Sequence, residues 1–138
     1  MEVNYMIPKF RAWDKEADTM HDVTSIWFDR NNEQYKLGHV SFPSQETVDT
    51  IFDNFELMQS TGLKDKNGVE IFEGDIVKII GDVLGDDMSV IRFTEGGFYL
   101  DYKNLDTEFE LLYSIDLPIE IIGNIYENPE LLEDKNEK

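Results

Sequence analysis

Two histidines are the side chains most suited to binding a transition metal. If segments 21–29 and 34–42 pair as a hairpin that turns at Arg30 to Asn32, His21 and His39 become cross-strand neighbours. A zinc site needs further ligands, and the chain contains no cysteine to supply them. The sequence therefore predicts two ordinary polar histidines and no metal site.

Acidic residues near the start of the chain have part of the spacing of a calcium-binding loop. Asp14, Glu16 and Asp18 match the first ligands of such a loop. Thr19 stands where the loop needs a glycine for its sharp turn, and Ser25 stands where it needs a bidentate glutamate. Because the pattern fails at these two positions, we expect no calcium site.

Catalytic motifs are absent from the sequence. With 30 acidic residues, carboxylate pairs suited to acid–base catalysis can be chosen anywhere, so none has discriminating power. The glycines lack the spacing of a phosphate-binding loop before a helix, and no serine lies in a nucleophile elbow. The sequence predicts a non-enzymatic protein with no catalytic residues and no cofactor.

The few basic residues could gather beside aromatic side chains, which is a minimal arrangement for binding single-stranded nucleic acid. A net charge of −18 opposes this, because binding phosphates depends on releasing their counterions. We therefore favour a protein partner, bound through an acidic or aromatic surface. The alternatives are a nucleic-acid-binding barrel and an acidic mimic of nucleic acid that acts on a basic protein. The residues assigned to the interaction surface are Arg11, Trp13, Trp27, Lys64, Lys66 and Phe72.

Length and composition favour one domain over residues 1–138, with a disordered tail at 135–138. The absence of cysteine fits a reducing compartment, and the N-terminal residues lack the features of a signal peptide. The longest apolar runs are far shorter than the roughly 20 residues of a membrane helix. We expect a cytoplasmic protein with no membrane contact, and a homo-oligomer through exposed strand edges stays an alternative.

Alternating Ile, Val, Phe and Tyr residues predict a fold dominated by β-strands. Trp13 followed by Asp14 predicts an anchored strand end whose carboxylate caps a turn. A tight hairpin is expected at Thr94 to Gly97, and Asn128 is expected to cap a helix that starts at Pro129. The predicted strands are 9–13, 21–29, 34–42, 55–59, 76–80, 89–93, 98–102 and 119–126. The predicted short helices are 46–52, 105–117 and 129–134, and 60–68 is a predicted polar loop.

Three segments together resemble the YopX family of phage and prophage proteins. They are Lys9–Asp14, then Leu57–Gly68 continuing through Ile71–Val77, and finally Ile121–Leu132. They occur in the family's order and span nearly the whole chain. The resemblance implies a mainly β fold, namely a small SH3-like β-barrel with an added N-terminal hairpin and short helices (β-rich α+β). It also implies a phage or prophage accessory protein that is located in the bacterial host cell, and it brings no activity and no catalytic residues.

Overall fold

The computed structural model describes residues 9–29, 34–39, 55–81, 88–102, 110–116 and 118–133. The chain forms two compact units, Met1–Ser60 and Thr61–Lys138. The strands are β1 Phe10–Asp14, β2 Thr19–Asp29, β3 Gln34–His39, β4 Phe55–Lys64, β5 Glu70–Phe72, β6 Asp75–Ile79, β7 Met88–Thr94, β8 Gly97–Tyr102, β9 Glu110–Leu111 and β10 Ile119–Asn124. Two 3-10 helices, η1 Leu112–Ser114 and η2 Pro129–Leu132, complete the described elements.

The predicted mainly β class is confirmed. The SH3-like barrel stays a prediction. The single domain over residues 1–138 also stays a prediction. The boundary between the two compact units falls inside β4.

The first unit is built around the hairpin of β1 and β2, with β3 beyond β2 and the first half of β4 beside β1. The turn after β1 forms as predicted. Trp13 is buried, and the Asp14 carboxylate accepts hydrogen bonds from the backbone N–H groups of Glu16 and Ala17 at 2.9 and 3.1 Å. A small core forms where Ala12 packs with Phe55. The Asp14 side chain therefore shapes the backbone of a turn.

The second unit contains an antiparallel sheet in the order β10-β6-β7-β8-β9. The predicted β7–β8 hairpin is confirmed, with positive φ angles of 49° at Glu95 and 79° at Gly96. Positive φ at both central residues is what a two-residue turn needs if it is to match the right-handed twist of the two strands it joins. The alternating apolar residues of the sheet form the main core with a residue from β5 and one from η1: Ile71, Val77, Ile79, Ile91, Phe98, Leu100, Leu112 and Ile119.

The polar loop predicted over residues 60–68 is wrong for residues 60–64, which continue β4. Thr61 is fully buried, and its hydroxyl donates to the Ile71 carbonyl at 2.8 Å while accepting from the Leu63 N–H at 3.1 Å. Gly62 has a φ of 80°, which suits an irregular strand position. Side-chain hydrogen bonds therefore allow a polar segment to lie in a buried strand. The predicted turn at 65–68 is confirmed immediately after it.

The predicted helix over 105–117 is wrong for its described part, where β9 is followed by the single turn of η1. The helix predicted at 129–134 is the short 3-10 turn η2. The turn at 30–33, the helix at 46–52, most of the loop at 81–87 and the tail at 135–138 lie outside the described residues. No helix in the described part of the chain is long and apolar enough to cross a membrane.

Candidate functional site

A pocket of about 320 Å³ opens on the second unit beside the turn that follows β4. Its lining combines an apolar floor with two lysines and a tyrosine. The lining residues are Leu63, Lys64, Asp65, Lys66, Ile71, Leu112, Tyr113, Ile115, Pro118 and Ile119. Pockets that bind ligands are typically ~300 to 1,000 Å³, so this one is small.

The Asp65 carboxylate holds the turn that forms one wall of this pocket. One oxygen accepts the backbone N–H groups of Asn67 and Val69 at 2.8 and 3.0 Å, and the other accepts that of Ile121 on β10 at 3.1 Å. The backbone N–H of Lys66 also donates to the Ile119 carbonyl at 2.8 Å. Because β10 is the outermost strand of its sheet, these two bonds occupy groups on its free edge.

Hydrogen bonding sets the charge state of Asp65. Burial acts to raise the pKa of this carboxyl, but the N–H donors of Val69, Ile121 and Asn67 and the nearby charge of Lys66 outweigh it. The pKa therefore lies below its usual value of 3.8, and Asp65 is ionised at neutral pH. An ionised carboxylate engaged by three backbone donors serves as a structural anchor and is poorly suited to proton transfer.

Tyr113 also lines the pocket. Its hydroxyl donates to the carbonyl of Thr61 at 2.7 Å, while 48% of the residue stays exposed. Loss of solvent around the phenol raises its pKa above 10.0. The tethered ring therefore offers a fixed aromatic face at neutral pH.

The two lysines of the pocket differ in their surroundings. Lys66 forms an ion pair with Glu120, with 3.0 Å between Nζ and Oε2. Lys64, at the exposed end of β4, has no ion pair within the described part of the chain. The pocket therefore carries one cation that an internal carboxylate already neutralises and one that a ligand can engage.

A comparison with known families covers residues of both units. The family model described as YopX protein matches residues 9–133. The chain belongs to the YopX family. The predicted resemblance is thereby confirmed.

Relatives of the YopX family share both sequence and fold with this chain. The SPbeta prophage-derived uncharacterized protein YopX of Bacillus subtilis (strain 168) is 31% identical over 90 residues, which cover 62% of this chain and 65% of that protein. The match thus spans slightly less than two thirds of that relative. The chain is a YopX-like prophage protein, and the relative's name states no activity.

Two crystal structures extend the likeness. Protein EF1440 from Enterococcus faecalis is 38% identical with a TM-score of 0.60, covering 94% of this chain and 100% of that one. YopX from Bacillus subtilis is 28% identical with a TM-score of 0.65, covering 91% of this chain and 96% of that one. The fold described above is therefore similar to experimentally determined YopX-type structures.

The last YopX-like segment, Ile121–Leu132, also consists of residues that shape the backbone. The side-chain oxygen of Asn124 accepts the N–H groups of Tyr126 and Glu127 at 3.0 and 2.8 Å. A Cβ on Gly123 would lie 2.6 Å from the Oδ1 of Asn128, so glycine is required by this close approach. Asn128 lies at the predicted N-cap position before Pro129, but its side chain accepts from the N–H of Asn124 and makes no capping hydrogen bond to η2.

The predicted interaction residues are divided between the two units. Lys64 and Lys66 lie together at the pocket. Arg11 and the buried Trp13 lie on β1 of the first unit, so the indole of Trp13 offers little surface to a partner. Phe72 is half-buried on β5, and its backbone N–H donates to Asp75 at 2.8 Å. Trp27 lies on β2, and its side chain is outside the described part.

The histidine pairing is wrong in register. His21 lies opposite Ala12 of β1, whereas His39 lies opposite Val23, next to an irregularity in the β2–β3 pairing. The imidazole of His21 instead hydrogen-bonds to the hydroxyl of Thr19 at 2.6 Å. Among the described residues no group of three or more His, Asp or Glu side chains is arranged to hold a metal ion.

Sequence reasoning missed Tyr113, Leu112 and Ile115 as members of a site. They were assigned to a helix that does not form, so their common position beside the turn at 65–68 was hidden. The signal available in the sequence was the YopX-like turn at 65–68. Its Asp65 accepts a hydrogen bond from Ile121 of β10 and so brings the turn to the site.

Proposed function

We propose that this YopX-like chain is a non-enzymatic protein-binding module, which acts in the cytoplasm of the bacterial host. Its contact surface is the pocket of the second unit. The observation that carries the proposal is the lining of this pocket, where apolar residues and a tethered tyrosine lie beside Lys64, an exposed lysine that forms no ion pair with the described residues. An apolar and aromatic centre with a polar rim is typical of protein contact sites.

The roles of the polar residues in the YopX-like segments support a binding function over catalysis. Asp65, Asp75 and Asn124 are buried, and each accepts backbone N–H groups that shape a turn. A catalytic carboxylate instead needs contact with a substrate and a pKa tuned to its task. These side chains are suited to building a rigid surface.

Exposed apolar residues in the second unit also support a protein partner. Leu111 and Tyr113, on either side of the buried Leu112, are 40% and 48% exposed, and Val69 in the turn after β4 is 53% exposed. Single exposed apolar residues are common on protein surfaces, and Ile80 and Phe93 are further examples in this unit. Tyr113, however, lines the pocket, and Leu111 precedes the lining residue Leu112. They extend the apolar area available to a partner.

The charges argue against the alternative of nucleic acid binding. Lys15, Lys66 and Arg92 each lie within 3.4 Å of a carboxylate oxygen, at Glu56, Glu120 and Asp101 respectively. Cations paired in this way release few counterions from phosphates. A net charge of −18 adds long-range repulsion.

Co-purification tests the proposal. The tagged chain is isolated from host cells that carry the prophage, after nuclease treatment, beside an unrelated acidic protein of similar net charge. We expect a protein that is enriched with the chain and absent from the acidic control. Repeated recovery of nothing above the control would contradict the proposal. Light scattering of the purified chain addresses the remaining alternative, a second copy as the partner.

A further inference from the structure

We infer that the pocket of the second unit receives a bulky apolar side chain of a partner protein, flanked by an acidic residue whose carboxylate pairs with Lys64. This inference rests on the proposed function and specifies the chemistry of the partner. The occupant is a short acidic segment with an apolar anchor.

The shape and lining of the pocket determine the first part of the occupant. A volume of about 320 Å³ is at the lower end of the range for small-molecule sites, which suits one anchoring side chain. Leu63, Ile115 and Pro118 provide apolar surface, and the ring of Tyr113 is fixed by its bond to Thr61. Apolar side chains seated in such pockets contribute much of the energy of protein interfaces.

Charge complementarity determines the second feature of the occupant, its acidic residue. The chain has 30 acidic and 12 basic residues, so an exposed lysine usually has a carboxylate at hand within the chain. Lys15 and Lys66 illustrate this through their ion pairs with Glu56 and Glu120. Lys64 has no such pair among the described residues. A carboxylate supplied by the partner would give Lys64 the ion pair that Lys15 and Lys66 form within the chain.

The overall negative charge limits how such a partner binds. Repulsion acts over long distances but is screened beyond about 10 Å at 0.1 M ionic strength, while a direct contact at Lys64 is screened less. An acidic segment therefore binds through the local contact and gains little from long-range attraction. Titrations at roughly physiological salt are the appropriate condition.

Three synthetic peptides test the inference. Each has ten residues with blocked ends and one tryptophan, and they differ only in whether the positions flanking the tryptophan are Glu, Gln or Lys. Binding is followed by two-dimensional NMR of the ¹⁵N-labelled full chain. We expect the Glu peptide to bind most tightly, with shifts concentrated at residues 63–66, 112–115 and 118–120. Equal binding of the Gln peptide, or tighter binding of the Lys peptide, would overturn the inference.

Variants separate the charge from the apolar contact. Lys64→Met should weaken the Glu peptide about three- to fivefold, as expected for an exposed ion pair, and leave the Gln peptide unchanged. Lys15→Met removes the same charge from the first unit and serves as the matched control, which should change neither affinity. An unchanged affinity of the Glu peptide for Lys64→Met would overturn the role of Lys64. If none of the peptides binds the wild-type chain, the inference fails, whereas the proposed function is decided separately by co-purification.

Discussion

Replacing Asp65 by asparagine tests the role of the turn that forms one wall of the pocket. Asparagine preserves the shape of the side chain but removes its charge and one acceptor oxygen. Its remaining oxygen can keep the bonds from Asn67 and Val69, but its NH₂ group then faces the N–H of Ile121. A backbone donor on the edge of β10 is left without its acceptor.

The expected cost follows from these bonds. A half-buried donor without a partner costs ~1–3 kcal/mol, and the two remaining bonds lose the strength that a charged acceptor gives them. We therefore expect Asp65→Asn to lower the free energy of unfolding by about 2–3 kcal/mol at pH 7. The matched control is Asp116→Asn, an exposed residue of the same unit, which should change stability by less than about 0.5 kcal/mol.

The effect should depend on pH in a defined direction. The pKa of Asp65 in the folded chain lies below 3.8, so its charged form stabilises the fold fully above the unfolded value. This contribution is lost as pH falls from 3.8 through the lower folded pKa. The difference in stability between wild type and Asp65→Asn should therefore be constant near neutral pH and shrink below about pH 4.

Urea denaturation followed by circular dichroism, at several pH values, measures both effects. Many carboxylates titrate together at low pH. The quantity compared at each pH is therefore the difference in the free energy of unfolding between wild type and variant. A difference at pH 7 no larger than that of the Asp116→Asn control would refute the reasoning. So would a difference that grows as the pH is lowered.

Three further predictions concern other described contacts. Gly123→Ala should destabilise the chain by about 1–3 kcal/mol in urea denaturation, because its Cβ would overlap the side chain of Asn128. Adding Asn128→Ala should recover part of this loss, and a double variant whose destabilisation equals the sum of the two single ones would contradict the clash. Tyr113→Phe should cost about 0.5–1.5 kcal/mol through the lost bond to Thr61, and an unchanged unfolding midpoint would show that this bond contributes little. Fluorescence anisotropy with single- and double-stranded oligonucleotides should show no binding at low salt, and salt-sensitive binding would revive the nucleic acid alternative.

The strands were predictable wherever apolar alternation and turn residues agreed. The β7–β8 hairpin followed from adjacent glycines between two apolar runs, and the end of β1 followed from a tryptophan and a carboxylate in sequence. In both cases the relevant interactions lie within a few residues of each other. Local chemistry was sufficient there.

Prediction failed where distant residues decide the local structure. Thr61 appeared to belong to a polar loop, but its hydroxyl bonds to Ile71 and allows it to lie in a buried strand. The apolar spacing after residue 105 suggested a helix, yet Leu112 begins a single 3-10 turn and is buried in the core. The two histidines are not paired, because His39 lies opposite Val23, two residues along β2 from His21. None of these contacts can be seen from sequence spacing.

The candidate site was only partly predictable. Lys64 and Lys66 were recognised as surface cations, but the tyrosine and apolar floor beside them depend on the packing of η1 against the sheet. Trp13 was predicted both to anchor the end of a strand and to contribute to the interaction surface, and its burial in the first unit agrees with the anchor. Large aromatic residues next to basic ones do not reveal by themselves which side of a strand they occupy.

The most direct test of the central claim is quantitative co-purification with two charge-reversed variants. The partner recovered with the tagged wild-type chain is measured again with Lys64→Glu and with Lys15→Glu, which change the net charge equally. We expect Lys15→Glu to retain the partner and Lys64→Glu to lose most of it, provided that both variants fold with wild-type stability. Equal recovery with the two variants would contradict the assignment of the pocket of the second unit as the protein-binding surface.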